Sequence, residues 1–314
     1  MSGRPAPVIL MYHRIADESF DPWALAVSPA RFGEQLGWLK RHRRVLSLPE
    51  FSTLHATGRL PPNAAAITFD DGYACNVGPA AELLSRHGTP ATIFLATNAV
   101  RSGKEFWWDE LERLVLGVEA DVIIIELPDG PLRVPLGEKR ADDRNWAPSA
   151  SPRTWRQKAF HQIWAALREL EPDQQEAALA QLSEQAGIET QARDSHRPMT
   201  PEEVRNTKIE GLEFGAHSLS HTSLPARTKS EKEREIFGSR DECAAIVGAV
   251  PSSFAYPFGD FDEETARIVE AAGFDCACTT VETGVGRSAN RYAMPRVQVW
   301  NWTPDQLTRA LARL

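Results

Sequence analysis

The sequence predicts an α/β fold on a parallel sheet, open or closed, interrupted by a large insertion. Three observations carry this. From Pro7 to Val100, short apolar runs alternate with amphipathic segments. From Met199 to Val299 the same alternation resumes. Between them, residues 101–198 have clustered Trp and a polar, Pro-rich stretch, "EKRADDRNWAPSASPRTW". Strands alternating with helices are the pattern of βαβ units, whose strands run parallel.

The elements follow in order. "PVILMYH" reads as a strand. "SPARFGEQLGWLKRH" begins at a capping Ser28 and places Phe32, Leu36 and Leu39 at helical spacing. "AAITF" is a second strand, "VGPAAELLSRHG" a helix closed by Gly88, and "PATIFLAT" a third strand. In the middle zone "DVIIIELPDGPLRVPLG" reads as a hairpin, and "AFHQIWAALRELEP" and "EAALAQLSEQAG" as helices. A structureless loop of this length is implausible in a compact domain, so 101–198 is expected to be an inserted, mainly helical subdomain. Residues 1–100 and 199–314 are then two halves of one domain. After the insertion "TPEEVRNTK" begins a helix, "LEFGAH" is a strand and "KSEKEREIFGSRDECAAIVG" a long helix. "SSFAYPFG", "FDCACTT" and "YAMPRVQVW" are strands, with the helix "DEETARIVEAAG" between the first two. No internal repeat is visible.

Composition narrows the classes. A chain of 314 residues suffices for one barrel-sized domain or two smaller ones. The formal charge is −8 without a basic block, which argues against a nucleic-acid partner. Met1 to Pro7 carries no apolar signal segment, and no apolar run is long enough to span a bilayer. The expectation is a soluble, cytoplasmic protein without a transmembrane segment. Cys75, Cys243, Cys276 and Cys278 form no CxxC pair, and Cys276 and Cys278 share one face of a strand, which reads as packing. Exposed members of the nine Trp could stack on flat sugar faces, but packing accounts for most. The sequence carries no signal of oligomeric state.

Two short stretches carry chemistry. "AITFDDGY", residues 66–73, ends an apolar run with Asp70 and Asp71 side by side. Two like charges repel, and each resists desolvation. One reading is a turn, since Asp-Gly is common turn chemistry. The other is a site. In "GAHSLSHTSL", His217 and His221 stand four residues apart. On a helical turn that spacing points both imidazoles the same way, as a metal requires; on a loop they are two polar residues. Both clusters follow strands, and in a parallel sheet the C-terminal strand ends lie on one side, so the clusters can converge. Two His and one carboxylate leave metal positions open, the pattern of a catalytic centre. One Asp can then ligate an ion that compensates its charge while the other stays free as a base. Gly72 lets the turn present both, so the turn and site readings are compatible.

At these residues a resemblance appears. "TFDDGY" with a later "HSLSH" resembles the polysaccharide deacetylase family, also called the NodB-homology family or carbohydrate esterase family four. The resemblance spans roughly Pro7 to Val100 and Met199 to Val299. It implies a distorted (β/α)7, TIM-like barrel, an Asp-His-His metal site and hydrolysis of N-acetyl groups on amino sugars. Carried over, Asp70 is the base, and Asp71, His217 and His221 are ligands of one divalent ion. Zn is the default, and Co, Ni, Mn or Fe also suit imidazole and carboxylate.

Departures from the family pattern matter. The family takes its general acid from a late Leu-x-His, but no His follows His221. "LMYHRI" offers His13 at the end of the first strand, which neighbours the last in a closed barrel. This resembles the poly-N-acetylglucosamine deacetylase branch, whose Met-Tyr-His segment supplies that residue; the other reading of His13 is packing at a strand end. "FAYPFGDF" resembles the third motif without the Arg that braces the catalytic Asp. Arg296 in "MPRVQV" could brace Asp70 from the last strand, or be an ordinary surface residue. The resemblance offers the backbone N–H of Tyr256 as oxyanion donor. Phe258 in the same segment, and Trp107 and Trp108 in the insertion, are candidate substrate contacts.

The expected function is metal-assisted removal of an N-acetyl group from an amino sugar or glycoconjugate. Asp70 takes the proton of water and His13 protonates the departing amine. The insertion leaves a strand end on the catalytic side and is expected to shape substrate access. A deformylase of a formamido sugar would use the same site. A non-catalytic carbohydrate-binding barrel is the alternative of another class, but it has no need of an unligated Asp beside a metal. The missing signal segment favours a cytoplasmic sugar intermediate (nucleotide-, lipid- or glycoside-linked) over an exported polymer.

Overall fold

The computed structural model describes residues 5–144, 146, 151–189 and 191–314. They form two compact units, one of 5–18, 25–103 and 198–314, the other of 19–24 and 104–197. Up to Gly103 the first unit contributes β1 (Val8–Tyr12), β2 (Arg14–Ile15), β3 (Ala26–Val27), α1 (Pro29–His42), β4 (Arg44–Val45), α2 (Leu48–Ala56), β5 (Ala64–Phe69), α3 (Pro79–His87), β6 (Ala91–Leu95) and α4 (Thr97–Ser102). The second unit follows with α5 (Trp107–Gly117), β7 (Val122–Leu127), β8 (Gly130–Pro135), α6 (Trp155–Arg168) and α7 (Pro172–Ala186). The first unit resumes with α8 (Pro201–Asn206), β9 (Leu212–Ala216), α9 (Lys229–Val247), β10 (Ser253–Ala255), α10 (Glu263–Ala271), β11 (Cys276–Cys278), β12 (Val297–Gln298) and α11 (Pro304–Leu311).

In the first unit seven strands pair in the order β11-β10-β9-β6-β5-β1-β12, all parallel, with β4 beside β5. Met294 bridges Cys278 of β11, and three residues later Val297 pairs with Leu10 of β1. One short segment, which carries the edge strand β12, thus touches both β1 and the opposite edge β11, which brings the sheet round into the distorted (β/α)7 barrel. Along β5 the side chains alternate. Ala65, Ile67 and Phe69 meet Phe32, Leu36 and Leu39 of α1 and Leu84 of α3. Ala64 and Ala66 meet Ile9, Phe94, Ala255, Cys276 and Cys278 inside. The two-residue period therefore carries Thr68 and Asp70 onto the interior face. Cys276 and Cys278 share that face as free thiols, and burial pushes Cys276 up to about 12.

Ser28 caps α1, its Oγ accepting the Arg31 N–H at 3.3 Å, and Gly88 ends α3 in the left-handed region. Three helices of this unit, α2, α4 and α11, have no counterpart in the sequence reading. They are too short for a clear period, and the buried positions of α2, Leu48 and Phe51, pack into the interior cluster. The strand expected over "SSFAYPFG" ends at Ala255, and the last strand is reduced to Val297–Gln298.

The second unit packs three helices with the antiparallel hairpin of β7 and β8. Its edge strand is capped by side chains. Gln185 of α7 accepts the Ile124 N–H at 3.0 Å and donates to the Ile124 carbonyl at 2.7 Å. Gln181 does the same at Glu126, at 2.8 and 3.2 Å. Two amides thus satisfy backbone groups that would otherwise invite a foreign strand. Residues 19–24, assigned to the barrel half in the sequence reading, belong here because the Trp23 ring packs, tilted, against Trp164 and Phe160 with centroids at 4.9 and 5.4 Å. The stretch "EKRADDRNWAPSASPRTW" lies partly outside the described residues. Among the described residues no helix is long and apolar enough to cross a membrane.

Candidate metal and catalytic site

Four strand ends build the site in the first unit. Asp70 follows β5, and its backbone N–H extends the sheet by donating to the Tyr12 carbonyl at 2.9 Å. Asp71 and Gly72 then turn through the left-handed region, with φ of 71° and 80°. A side chain at Gly72 would bring Cβ to 2.9 Å from Leu95 Cδ2, so glycine is needed both for the turn and for the close approach to β6. His217 follows β9 and donates its backbone N–H to the Leu95 carbonyl at 2.9 Å. Arg296 precedes β12 and His13 follows β1.

Asp71, His217 and His221 converge, all buried, with one ligand atom each within 4.8 Å of the others. Asp71 Oδ1 lies 3.5 Å from His217 Nε2 and 3.2 Å from His221 Nε2. Ligands held about 2.1 Å from a tetrahedral ion stand roughly 3.4 Å apart, so these two spacings suit a shared ion. His217 Nδ1 lies 2.7 Å from the Ala255 carbonyl, which can only accept, so the proton sits on Nδ1. In the neutral ring Nε2 then offers a lone pair to a carboxylate that also offers lone pairs. A metal ion between them reconciles the two, as a proton on Nε2 would. Asp71 Oδ1 is buried and receives no well-aligned hydrogen bond among the described residues, the orphan that an ion would satisfy. Burial alone would lower His217, but Asp71 and Asp70 outweigh it and hold the imidazole above its usual value. At His221 burial prevails and lowers it. Burial would raise the Asp71 carboxyl, yet the two imidazoles hold it far below the usual range.

Asp70 has a different partner. Arg296, fully buried, donates from Nη1 and Nη2 to Oδ1 and Oδ2, both at 2.6 Å. Its Nη1 also reaches Thr68 Oγ1 at 3.1 Å and its Nε the Thr279 carbonyl at 2.9 Å. The fork fixes the plane of the carboxylate. Burial pushes the Asp70 carboxyl up, but Arg296, His217 and His13 hold it below the ordinary value. His13 is near enough to both carboxylates for its charge to lower each. Asn76 Nδ2 donates to the His13 carbonyl at 2.9 Å, and His13 Nδ1 is buried without a hydrogen-bond partner among the described residues.

Backbone strain gathers here. Among the described residues five non-glycines have left-handed φ, and four of them are Asp71, Ser218, His221 and Phe258. Such conformations cost about 1–3 kcal/mol each and persist where the surroundings impose them.

Tyr256 requires a correction. Its backbone N–H donates to the Cys278 carbonyl at 3.1 Å, and its hydroxyl to the Tyr292 carbonyl at 2.8 Å. Strand alternation turns Ala255 inward and Tyr256 outward, and β10–β11 pairing continues one residue past β10, so this N–H is consumed by the sheet. It is not an oxyanion donor. Phe258 packs its ring edge-on against His221 at 4.6 Å. Trp107 and Trp108 lie in the second unit, 8 % and 5 % exposed, within its aromatic cluster; their burial describes packing.

The profile described as polysaccharide deacetylase matches residues 57–120 and 163–277, more than half of the chain. The chain belongs to the polysaccharide deacetylase family. The matched segments include Asp70, Asp71, His217 and His221, and they run into both ends of the expected insertion. His13 and Arg296, the two departures from the family pattern, fall outside them. The Bacillus subtilis (strain 168) protein named "Putative polysaccharide deacetylase YxkH" is 25% identical over 101 residues, 32% of this chain and 36% of that one. The match thus spans about a third of that curated relative's length. Among solved structures, the Streptococcus pyogenes deacetylase PplD in complex with acetate superposes with a TM-score of 0.62 at 16% identity, covering 98% of this chain and 99% of that one. IcaB from Ammonifex degensii gives 0.60 at 17% identity, covering 98% and 96%. These two likenesses are of fold.

The sequence reading did not find Thr68, Thr279, the Ala255 carbonyl or Ser218 Oγ, which accepts the His221 N–H at 2.9 Å. Thr68 alone had a usable signal, lying two residues before Asp70 on one strand face.

Proposed function

We propose that the protein is a metal-dependent hydrolase that removes N-acetyl groups from amino sugars of a glycan or glycoconjugate. One observation carries the reading: two adjacent buried carboxylates have different partners, Asp71 two imidazoles and Asp70 a guanidinium. Asp71, His217 and His221 would hold a divalent ion, with zinc the first choice for this donor set. Such an ion, when bound, supplies Lewis-acid polarisation of the acetyl carbonyl and a more acidic water.

The remaining work falls to side chains. Arg296 keeps Asp70 ionised and oriented, and each Asp70 oxygen retains a lone pair for the proton of the attacking water. His13, just after β1, would give a proton to the departing amine nitrogen. An amine anion is a very poor leaving group, so amide cleavage depends on that transfer. The Tyr256 N–H, held by the Cys278 carbonyl, takes no part in meeting the oxyanion.

The test is release of acetate and free amine from N-acetylated amino-sugar oligomers and conjugates by zinc-supplied protein, beside N-formyl analogues. Acetate release that disappears in Asp70→Asn supports the proposal. Formate release alone would indicate the deformylase, and no release from any substrate despite bound metal would indicate a binding barrel.

A further inference from the structure

The turn between His217 and His221 is held from two sides. On one side the first turn of α4 donates two backbone N–H groups, from Thr97 to the Ser218 carbonyl at 3.3 Å and from Asn98 to the Leu219 carbonyl at 2.9 Å. On the other side stands Glu235 of α9, 4 % exposed. Its Oε2 accepts the backbone N–H groups of Leu219 at 3.0 Å and Ser220 at 2.9 Å, and its Oε1 accepts the Ser220 hydroxyl at 2.8 Å. A carboxylate this buried is costly unless its lone pairs are met, and here all three donors come from one turn. Three residues on, on the same face of α9, a Cβ at Gly238 would stand 2.7 Å from Leu219 Cδ1. Glycine within a helix costs about 1 kcal/mol relative to alanine, and the seat it gives Leu219 explains its presence. The turn so gripped holds Ser218 and His221 at φ of 61° and 56°, conformations the chain would leave if released.

We propose that Glu235 is a positioning residue for the metal site: by pinning residues 219 and 220 to α9, it fixes the separation and aim of the His217 and His221 imidazoles toward Asp71. This rests on the reading of Asp71, His217 and His221 as metal ligands.

The test is zinc affinity, measured by competition with a chromophoric chelator, for the full chain and its Glu235 variants. Glu235→Ala should weaken zinc binding by about 10- to 100-fold, the range for groups that orient ligands, with the far-UV circular dichroism unchanged. Glu235→Gln should stay within a few-fold of the parent. Its carbonyl can accept both N–H groups and its NH2 can donate to Ser220 Oγ, so the rescue separates hydrogen-bond geometry from charge. If the alanine variant does not fold, Glu235→Asp, one methylene shorter, withdraws the carboxylate from the turn and should weaken binding in the same direction. Zinc affinity unchanged in a folded Ala or Asp variant would overturn the proposal, as would a Gln variant as weak as Ala. A parent chain that binds no zinc would instead overturn the metal reading, and this inference with it.

Discussion

Replacing Arg296 by Met removes a fully buried guanidinium while keeping most of its volume. Asp70, with a side chain 4 % exposed, then keeps a charge with no counter-charge of its own and loses two hydrogen bonds of 2.6 Å. Breaking one side of a buried ion pair costs about 3–5 kcal/mol, chiefly because the surviving charge stays buried. The Thr279 carbonyl, bonded at 2.9 Å, also loses its side-chain donor, adding about 1 kcal/mol. A unit of this size loses roughly 2–4 °C of Tm per kcal/mol, so Arg296→Met should lower Tm by about 8–24 °C. Adding Asp70→Asn removes the stranded charge. The double variant should therefore be more stable than the sum of the single changes by 2 kcal/mol or about that. Arg296→Lys keeps the charge without the fork and should lose kcat even where it retains stability. Thermal and urea melts measure the first two effects and acetate release the third. A Met variant within about 1 kcal/mol of the parent, or strictly additive single changes, would refute the pairing as the device that holds Asp70.

Replacing Asp71, His217 or His221 by Ala should remove bound metal and turnover together, whereas Asp70→Asn should lose turnover and keep metal; elemental analysis decides, and equal metal loss in the Asp70 variant would end the division of roles. His13→Ala should cut kcat on an amide by roughly a hundred- to ten-thousand-fold with metal retained, and much less on an activated aryl ester whose leaving group needs no proton. Near-normal amide turnover would move the acid elsewhere. Asp262 caps α10 through the Thr265 N–H at 2.7 Å and pairs with Lys232 at 3.0 Å. Burial raises its carboxyl, but the Thr265 hydrogen bonds and Lys232 together outweigh it and bring it down to about 2. A depressed folded value means stability that is present above the unfolded carboxylate range and lost as pH falls toward 2. Asp262→Ala should thus cost about 1 kcal/mol above pH ~5, with the gap to the parent closing between roughly pH 4 and pH 2 in a series of melts. A gap that does not change with pH would show that the charge contributes nothing.

What the sequence determined by itself is local. Alternation of period two and period 3.6 wrote the strands and long helices, since burial on one face leaves that period in the composition. The adjacency of Asp70 and Asp71, the four-residue spacing of His217 and His221, and the glycine between turn and strand are covalent facts that folding cannot rearrange. What only the tertiary structure decided is which partner each polar group meets. Arg296 lies 226 residues from Asp70 in the chain, and only the closure of the barrel through residues 294–298 brings its fork onto that carboxylate. Tyr256 N–H went to Cys278 because strand register, which no periodicity encodes, continued the pairing past β10. Trp23 joined the second unit against its place in the sequence because its ring found Trp164 there. Glu235 showed nothing in the sequence but one more acidic residue on a charged helix; the rotation of α9 against the barrel turned it inward to the turn between His217 and His221. Directional bonds between distant segments depend on register, closure and helix rotation, and these are set by the packing of the whole unit.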